Sequence, residues 1–347
     1  MAVSVIEGNY FQDLLDQPRA LADTIAGLED SPALQSLAQQ LGAGEFERVV
    51  LTGMGSSLHA LYPLLLDLTE FGLTAMLVET SELVHYYARL LSPSTLVIAV
   101  SQSGKSAETL RLLELNARRC RLVAVTNTPD SPLAEQANLV VLTRCGPEFS
   151  ISSKTYVSTL AALAWLGDIV CQRDLDDTRS QMEAIPAAVS GYLGSWRQHV
   201  CDVVDVMTGV TDVFLAGRGS SLATTGAGGL IIKESTHFHS EGLSAAAFRH
   251  GPFEMLSDKV FVLVFAGDER TAELNLRLSQ DVIASGGRSA VVSEVAELGV
   301  FRIPEAPLRL RPIVEFLPVE MITLGLAALA GREAGKFELA SKITAIE

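Results

Sequence analysis

Cysteine is scarce in this sequence, and its few cysteines are scattered without Cys-X-X-Cys spacing. They are Cys120, Cys145, Cys171 and Cys201. Neither a disulfide framework nor a zinc site is indicated by this spacing. We therefore expect reduced thiols, in the core or on the surface.

Basic residues are also in short supply. The chain of 347 residues has 26 lysines and arginines against 41 aspartates and glutamates, a formal net charge of −15. A nucleic-acid partner would need a basic face, so this balance argues against one. It does not argue against an anionic small ligand, because a local set of backbone N–H groups can bind phosphate in an acidic protein.

Targeting and membrane signals are missing as well. The first residues, MAVSVIEGNYFQDLLDQP, have neither the basic region nor the long apolar run of a signal peptide. Apolar segments such as residues 160–170 are too short or too interrupted to span a bilayer. We expect a soluble cytoplasmic protein without a membrane partner.

What the sequence does contain is a regular alternation of strands and helices. Apolar runs predict strands at 48–53, 74–79, 95–100, 121–127 and 139–144, and a long helix at about 155–171. After a polar helical stretch, VFLAGRGSSLATTG (213–226) repeats the form of VVLTGMGSSLHALY (49–62). Further strands at 260–266 and 289–293 and a long helix at 313–331 follow.

This order predicts an α/β protein with two tandem, doubly wound parallel sheets of flavodoxin-like type, related by internal duplication. The expected organisation is a helical lead-in, a first domain, a connecting helix, a second domain and a tail. Their bounds are 1–43, 44–176, 177–208, 209–332 and 333–347.

The turn SQSGKSAET, which follows the strand at 95–100, is unusually rich in hydrogen-bonding groups. A turn between a parallel strand and a helix presents unpaired N–H groups and the positive end of the helix dipole. Ser101, Ser103 and Ser106 add hydroxyls, Gln102 adds an amide, and Gly104 lets an anion approach the backbone. A helix cap needs fewer such groups, so a phosphate monoester is the predicted ligand.

A second turn of this kind, Gly53-Met54-Gly55-Ser56-Ser57, is expected next to it in the sheet. Its two glycines invite a dinucleotide interpretation, but Leu58 stands where the third glycine would be. The recurrence of the turn in the second half fits duplication better than two cofactor sites. We expect no cofactor.

The SQSG, GMGSS and GRGSS turns, with KES…RHGP and SKITAIE, resemble the double SIS (sugar isomerase) domain family. The resemblance covers about residues 40–347 and is to the isomerase part of glucosamine-6-phosphate synthase and its stand-alone relatives. It implies phosphate binding by Ser57, Ser101, Gln102, Ser103 and Ser106, and sugar contact by Ser152. The glutamine-hydrolysing domain of the synthase has no counterpart here, so glutamine is not expected to serve as ammonia source.

The second half lacks its own SQSG: the equivalent strand runs into Gly267-Asp268-Glu269, and these acids would repel a phosphate. We expect one phosphate site per chain, with the second domain contributing catalytic groups. Glu234 lies in an otherwise apolar helix, which favours a raised pKa, and His250 precedes a Gly-Pro turn. A paired structural Glu and a structural His are the alternatives.

The resemblance implies that Glu234 transfers a proton between C1 and C2 and that His250 opens the sugar ring. It implies that Lys342 contacts the open-chain sugar and can form a Schiff base with a ketose; by position alone, Lys342 would be a solvated lysine on the tail. Two features depart from the family. The tail before Lys342 lacks an Asp-Pro pattern, and Ile231 replaces an additional lysine, whose loss puts synthase-like amination in doubt.

A metal site formed by His237, His239 and Glu241 is the other interpretation of this region, and no further Cys or His cluster completes it. We expect no metal. The expected activity is isomerisation or deamination of a hexose 6-phosphate, above all of an aminosugar phosphate. A fructosamine-6-phosphate deglycase and a non-catalytic phosphosugar-binding regulator remain alternatives. The resemblance further implies a homodimer with an active site shared between subunits.

Overall fold

The structure, a computed structural model, describes residues 3–339 and residue 342. The chain divides into two compact units, which we name after their sheets. The five-stranded unit comprises residues 19–147 and 154–184, and Lys342 is grouped with it. The four-stranded unit comprises residues 3–18, 148–153 and 185–339. The domain bounds expected from the sequence stay predictions.

All strands except β7 follow the apolar runs of the sequence closely. They are β1 (Arg48–Gly53), β2 (Ala75–Glu79), β3 (Thr95–Val100), β4 (Arg121–Thr126), β5 (Leu139–Leu142), β6 (Asp212–Gly217), β7 (Ser240–Ser244), β8 (Val260–Phe265) and β9 (Arg288–Val292).

Helices connect and cover these strands. They are α1 (Asn9–Leu15), α2 (Gln17–Gly27), α3 (Pro32–Gly42), α4 (Ser56–Ala60), α5 (Tyr62–Glu70), α6 (Thr80–His85), α7 (Ala107–Asn116), α8 (Pro132–Gln136), α9 (Lys154–Val170), α10 (Leu175–Leu193), α11 (Trp196–Met207), α12 (Ser221–Thr236), α13 (Ala245–Arg249), α14 (Ala272–Ala284) and α15 (Arg311–Ala330). Short 3-10 helices occur at Val3–Ile6, Ala88–Leu90, Pro252–Met255 and Gly299–Phe301.

The five-stranded sheet is parallel throughout, in the order β2-β1-β3-β4-β5. All six residues of β3 are buried, because helices cover both faces of a doubly wound parallel sheet. On one face Val50, Val97 and Ala124 pack in a core cluster that also contains Leu112 and Leu133.

The four-stranded sheet repeats this plan in the order β7-β6-β8-β9, again with parallel pairing. Its central strand β8 is also buried at all six positions. The predicted fold class, an α/β protein with two doubly wound parallel sheets, is therefore confirmed. The shared strand order agrees with an internal duplication.

Strand β7 is the element that the hydrophobic pattern did not predict. Its sequence, Ser-Glu-Gly-Leu-Ser, has no apolar run, and it lies at the edge of the sheet beside β6. Glycines let α12 lie directly against it: a Cβ at Gly242 would stand 1.9 Å from the Thr225 carbonyl oxygen, and one at Gly229 would stand 2.5 Å from the Gly242 nitrogen. Parallel pairing with β6 and close backbone contact with α12 hold this strand.

Helix α15 is the most apolar long element of the described chain. By length and composition it could cross a membrane, but 89% of its most apolar window is buried inside the protein, as in a core helix. Two of its buried residues are acidic, Glu315 and Glu320. All four cysteines carry thiol groups, with Cys201 exposed and the other three buried.

Candidate active site

The turns after β1 and β3 lie side by side at the carboxyl edge of the five-stranded sheet. Strand β1 pairs with β2 on one side and β3 on the other, and Gly53 is paired with Val100 at their ends. The direction of winding reverses between β1 and β3, and ligands of open α/β sheets bind at such a switch point. The predicted adjacency of the two turns is confirmed.

The hydroxyl groups in the turn after β3 accept hydrogen bonds from the turn itself. The Gly104 N–H donates to Ser101 Oγ at 3.1 Å, and the Lys105 N–H donates to Ser103 Oγ at 3.4 Å. Ser106 caps α7 by accepting from the Thr109 N–H at 3.4 Å. Because a hydroxyl that accepts one bond keeps its own proton, Ser101 and Ser103 retain O–H donors for an anion.

The backbone of Gln102 is held by the last residue of β4 and the two residues after it. Its carbonyl oxygen accepts from the Asn127 N–H at 3.2 Å, and from the hydroxyls of Thr126 at 3.2 Å and Thr128 at 3.3 Å. The half-buried Gln102 side-chain amide makes no hydrogen bond to another described residue. Its N–H groups are therefore available to a ligand at the sheet edge.

Gly104 is required by the geometry of this turn. Its φ angle is 62°, in the left-handed region that favours glycine. A Cβ at Gly104 would stand 2.2 Å from Ser131 Oγ, and the Gly104 carbonyl accepts from the Leu133 N–H at 3.2 Å. The turn thus lies directly against the start of α8, with no room for a side chain.

The turn after β1 is equally tight. A Cβ at Gly53 would stand 3.0 Å from the Leu58 nitrogen and 3.1 Å from the Val100 carbonyl oxygen, and Gly55 has a φ of 51°. This closeness brings the half-buried Ser57 to the same sheet edge as the turn after β3. The five predicted phosphate-binding residues, Ser57, Ser101, Gln102, Ser103 and Ser106, are therefore all at one edge of one unit.

The predicted sugar-binding and catalytic residues Ser152, Glu234 and His250 belong to the four-stranded unit. Ser152 is half-buried in the segment that precedes α9, and Glu234 is half-buried in the last turn of α12. The neighbours of Glu234 at Ile231 and Ile232 are fully buried, as expected from the apolar helix.

His250 ends α13, and its side chain is exposed. The following residue, Gly251, has a φ of 141°, and Pro252 then begins a 3-10 helix. The imidazole makes no hydrogen bond, ion pair or ring contact with another described residue, so it is accessible to a bound molecule. Lys342 is half-buried.

A buried polar cluster near Glu234 was not predicted from the sequence. Burial raises the pKa of Tyr10 well above its usual value, and the acids that raise it further are Glu320, Glu148 and Glu234. These carboxyl groups therefore lie within electrostatic range of one phenol. The available sequence signal was a glutamate inside the otherwise apolar helix at 311–330.

The histidines of the metal interpretation have separate partners. His239 Nδ1 lies 2.8 Å from Asp212 Oδ1, and its Nε2 lies 3.6 Å from Glu241. His237 instead faces Arg332 and Glu338. In the described part of the chain, no three His, Cys, Asp or Glu side chains are placed to hold a metal ion.

The switch point of the four-stranded sheet carries an acid where the other sheet carries serines. Asp268 Oδ2 lies 3.8 Å from the position of a Cβ at Gly219, in the turn after β6. Arg270 pairs with this carboxylate at 3.5 Å. A carboxylate over the turn disfavours a second phosphate, in line with the single site expected from the sequence.

Comparison with known proteins finds a family match that covers the five-stranded sheet. The model of the SIS domain matches residues 45–167, which include the whole five-stranded sheet and the turns after β1 and β3. Residues 45–167 are therefore similar to a SIS domain.

Similarity to individual proteins extends over nearly the entire chain. The glutamine–fructose-6-phosphate aminotransferase (isomerizing) of Pyrococcus horikoshii is 27% identical over 349 residues, covering 97% of this chain. The chain spans only 57% of the length of that relative.

Two solved structures share the fold of the whole chain. The C-terminal domain of glucosamine-fructose-6-phosphate aminotransferase from Francisella tularensis superimposes with a TM-score of 0.84 at 18% identity, covering 97% of this chain and 100% of that one. Glucosamine-6-phosphate deaminase from Thermotoga maritima superimposes with a TM-score of 0.78 at 16% identity, covering 98% and 100%.

Proposed function

We propose that this chain is a phosphosugar isomerase or deaminase with two SIS domains that acts on a hexose 6-phosphate. The favoured substrate is an aminosugar phosphate such as glucosamine 6-phosphate, with fructose 6-phosphate as product. The observation that carries the proposal is the turn after β3, whose hydroxyls keep their protons at the switch point of a SIS domain. The substrates in the names of the similar proteins, fructose 6-phosphate and glucosamine 6-phosphate, support this choice.

In this proposal the phosphate group is held by neutral donors. Ser101, Gln102 and Ser103 donate to its oxygens, and Ser57 and Ser106 complete the set. Neutral donors suit an acidic protein, because hydrogen bonds to a dianion are charge-assisted without a lysine or arginine. Ser152 contacts the sugar.

The chemistry needs two steps in sequence, ring opening and proton transfer between C1 and C2. His250 donates a proton to the ring oxygen and accepts the one from the C1 hydroxyl, which opens the ring to the aldehyde. Glu234 then takes the proton from C2 and returns it to C1, while the proton of the C2 hydroxyl passes to the C1 oxygen, which converts an aldose to a ketose. With an amino group at C2 the same shift leaves an imine, and water releases ammonia from it to give the ketose phosphate. Lys342 contacts the open-chain sugar.

We further expect this protein to work in the cytoplasm as a homodimer, without a cofactor or a metal ion. In that dimer, His250 of one chain serves the phosphate-binding residues of the other. The 6-phosphates of a hexose, an aminosugar and a fructosamine differ only around C1 and C2. The residues named above therefore serve each of these substrates.

A substrate panel tests the proposal. The purified chain is incubated with glucosamine 6-phosphate, glucose 6-phosphate and fructoselysine 6-phosphate, and ammonia, fructose 6-phosphate and free amine are measured. Unphosphorylated glucosamine is the control. Fructose 6-phosphate from either of the first two sugars supports the proposal. Free amine from fructoselysine 6-phosphate alone would identify a deglycase, and tight binding without turnover would identify a regulator.

A further inference from the structure

A buried hydrogen-bonded cluster in the four-stranded unit joins three residues that are far apart in the sequence. Gln17, Ser153 and Glu320 are all 0% exposed. Gln17 Nε2 donates to Glu320 Oε1 at 2.5 Å and to Ser153 Oγ at 2.9 Å. Ser153 Oγ in turn donates to Glu320 Oε1 at 2.8 Å. The carboxyl group of Glu320 is therefore the acceptor on which the cluster converges.

This cluster holds the segment that carries Ser152. The Ser153 N–H donates to Glu148 Oε1 at 2.9 Å, and the Phe149 N–H donates to Asp13 Oδ2 at 3.1 Å. The residue after Ser152 is thus fixed at both its side chain and its backbone. Since Ser152 is joined directly to Ser153, its place is set by these acceptors.

The same segment is tied to the end of α12, where Glu234 lies. Ser150 Oγ donates to the Gly335 carbonyl, and the Gly335 N–H donates to the Ser235 carbonyl at 3.1 Å. Gly335 therefore joins the segment before α9 to Ser235, the residue next to Glu234. Gly335 has a φ of 72°, and a Cβ there would stand 2.5 Å from Tyr10 Cβ, so this link has no room for a side chain.

Glu320 has no basic partner in the described chain that would explain a buried carboxylate. Its hydrogen-bond partners are Gln17 and Ser153. Burial raises the pKa of its carboxyl group, and the charge of Glu148 raises that pKa further. Its second oxygen, Oε2, is buried without a hydrogen-bond partner among the described residues. An uncompensated negative charge in such a place is costly, so the neutral acid is the form that fits the cluster.

We propose that Glu320 is a positioning residue of the candidate site, whose neutral carboxyl group holds Ser153 and thereby sets the place of Ser152 relative to Glu234. The role of Ser152 as a sugar contact rests on the proposed function, whereas the effect of Glu320 on the segment does not. Three measurements separate these parts.

The first experiment measures hydrogen exchange at the backbone of residues 148–153. Glu320→Ala should speed exchange of the Ser153 and Phe149 amides by about tenfold, because the segment opens locally when Ser153 loses its acceptor. Glu320→Gln keeps the accepting oxygen and should exchange at the wild-type rate. Ser153→Ala leaves Glu320 in place and should speed exchange as Glu320→Ala does. Agreement of the two variants would show that faster exchange in Glu320→Ala does not come from global unfolding.

Glu315 provides the matched control, because it is a second buried acid of the same helix with different partners. It accepts from Ser221 at 2.8 Å and from Thr224 at 3.3 Å, and makes no hydrogen bond to residues 148–153. Glu315→Ala should leave exchange in that segment at the wild-type rate. Unchanged exchange in Glu320→Ala, or equal acceleration in Glu315→Ala, would overturn the positioning role.

The second experiment measures kcat/KM against pH with whichever hexose 6-phosphate is turned over. Burial raises the pKa of Glu320 to about 8, so wild-type activity should decline above this pH as the carboxyl ionises beside Glu148. Glu320→Gln should lose that decline, and Glu315→Gln should retain it. The other titratable groups that face Glu320 are Tyr10 from α1 and Tyr192 from α10, with Glu234 from α12 acting on Tyr10.

Binding of inorganic phosphate distinguishes the remaining outcomes. It should be equal in wild type and Glu320→Ala, because the turn after β3 belongs to the other unit, while KM for the sugar phosphate rises about tenfold. An alkaline decline that persists in Glu320→Gln overturns the proposal for catalysis. If no hexose phosphate is turned over, the proposed function fails, and the exchange rates still decide whether Glu320 positions the segment.

Discussion

At the scale of single residues, the turn after β3 depends on hydroxyl protons that its own backbone leaves free. Ser103 accepts from the Lys105 N–H and keeps its O–H for a ligand. Ser103→Ala should weaken binding of a sugar phosphate by about 1–3 kcal/mol, or roughly 5- to 150-fold, as for a lost charge-assisted hydrogen bond. Isothermal titration calorimetry measures this change.

Ser94→Ala is the control for that substitution. Ser94 immediately precedes the other end of β3, and its hydroxyl bonds Ser92 Oγ at 3.2 Å. Equal affinity of the wild type for glucosamine and glucosamine 6-phosphate would remove the basis for a phosphate site at this turn, whatever the variants do.

Gly104 makes a different prediction, because it combines a left-handed backbone with a close contact. Gly104→Ala should lower both phosphate affinity and the free energy of unfolding, the latter by about 1–3 kcal/mol, since the new Cβ collides with Ser131. Gly44→Ala is matched in conformation, with φ of 74°, but has nothing within 4 Å of its Cβ. Urea unfolding of the two variants should show the larger loss for Gly104→Ala; a larger loss at Gly44 would mean that the turn can shift at little cost.

Glu234 is the residue on which the proposed proton transfer depends. Glu234→Gln keeps the size of the side chain but cannot accept the proton, so kcat should fall by about 10²–10⁴-fold while binding changes little. Incorporation of solvent deuterium at C2 gives the direct measurement. A wild-type rate of deuterium incorporation in Glu234→Gln would assign Glu234 a structural role.

His250→Gln serves as the comparison, because ring opening also occurs slowly without help. A pre-opened or acyclic substrate analogue should therefore restore turnover to His250→Gln and leave Glu234→Gln inactive. Restoration of both variants, or of neither, would contradict the division of roles between the two residues.

At the scale of elements, α15 places two acids in the core of the four-stranded unit. Burial raises the pKa of Glu315 to about 7 and that of Glu320 to about 8, against 4.5 for an ordinary glutamate. At pH values between 4.5 and the raised pKa of each group, the folded protein keeps a proton that the unfolded chain releases. Each group therefore lowers stability as pH rises through this window, by at most about 1.4 kcal/mol per pH unit.

Glu315→Gln and Glu320→Gln should remove these contributions. The difference in unfolding free energy between variant and wild type should increasingly favour the variant from about pH 5 up to about pH 7 for Glu315, and up to about pH 8 for Glu320. Denaturant unfolding at a series of pH values measures it. Parallel stability curves for variant and wild type would mean that the carboxyl group is ionised in the folded protein.

The elements that could be predicted from the sequence are those whose burial is indicated by a local hydrophobic pattern. Strand β3 is apolar at every position, and its predicted bounds, 95–100, agree with the structure. Strand β7 could not be predicted, because its place depends on glycine contacts with α12 and not on a hydrophobic pattern.

In the candidate site, too, the parts formed by neighbouring residues could be predicted, and the part formed by distant residues could not. The turns after β1 and β3 were predicted, since chemistry and position are both local there. The cluster of Gln17, Ser153 and Glu320 was not, because its members are separated by 136 to 303 positions and meet only in the folded chain. A glutamate in an apolar helix was the one visible sign of it.

At the scale of the whole molecule, the predicted residues are distributed over two units. The phosphate-binding candidates belong to the five-stranded unit, and Ser152, Glu234 and His250 belong to the four-stranded unit. In the proposed homodimer, His250 of one chain serves the phosphate-binding residues of its partner. This arrangement makes a prediction about mixtures of inactive chains.

Chains with Ser101→Ala and Ser103→Ala, inactive by themselves, are mixed with inactive His250→Ala chains under conditions that exchange subunits. Half of the dimers should then be mixed, and one of the two sites in each should combine intact serines with an intact His250, so about a quarter of wild-type activity should return. Mixing either variant with itself is the control. If verified mixed dimers stay inactive, His250 serves the serines of its own chain, and the active site is complete within one subunit.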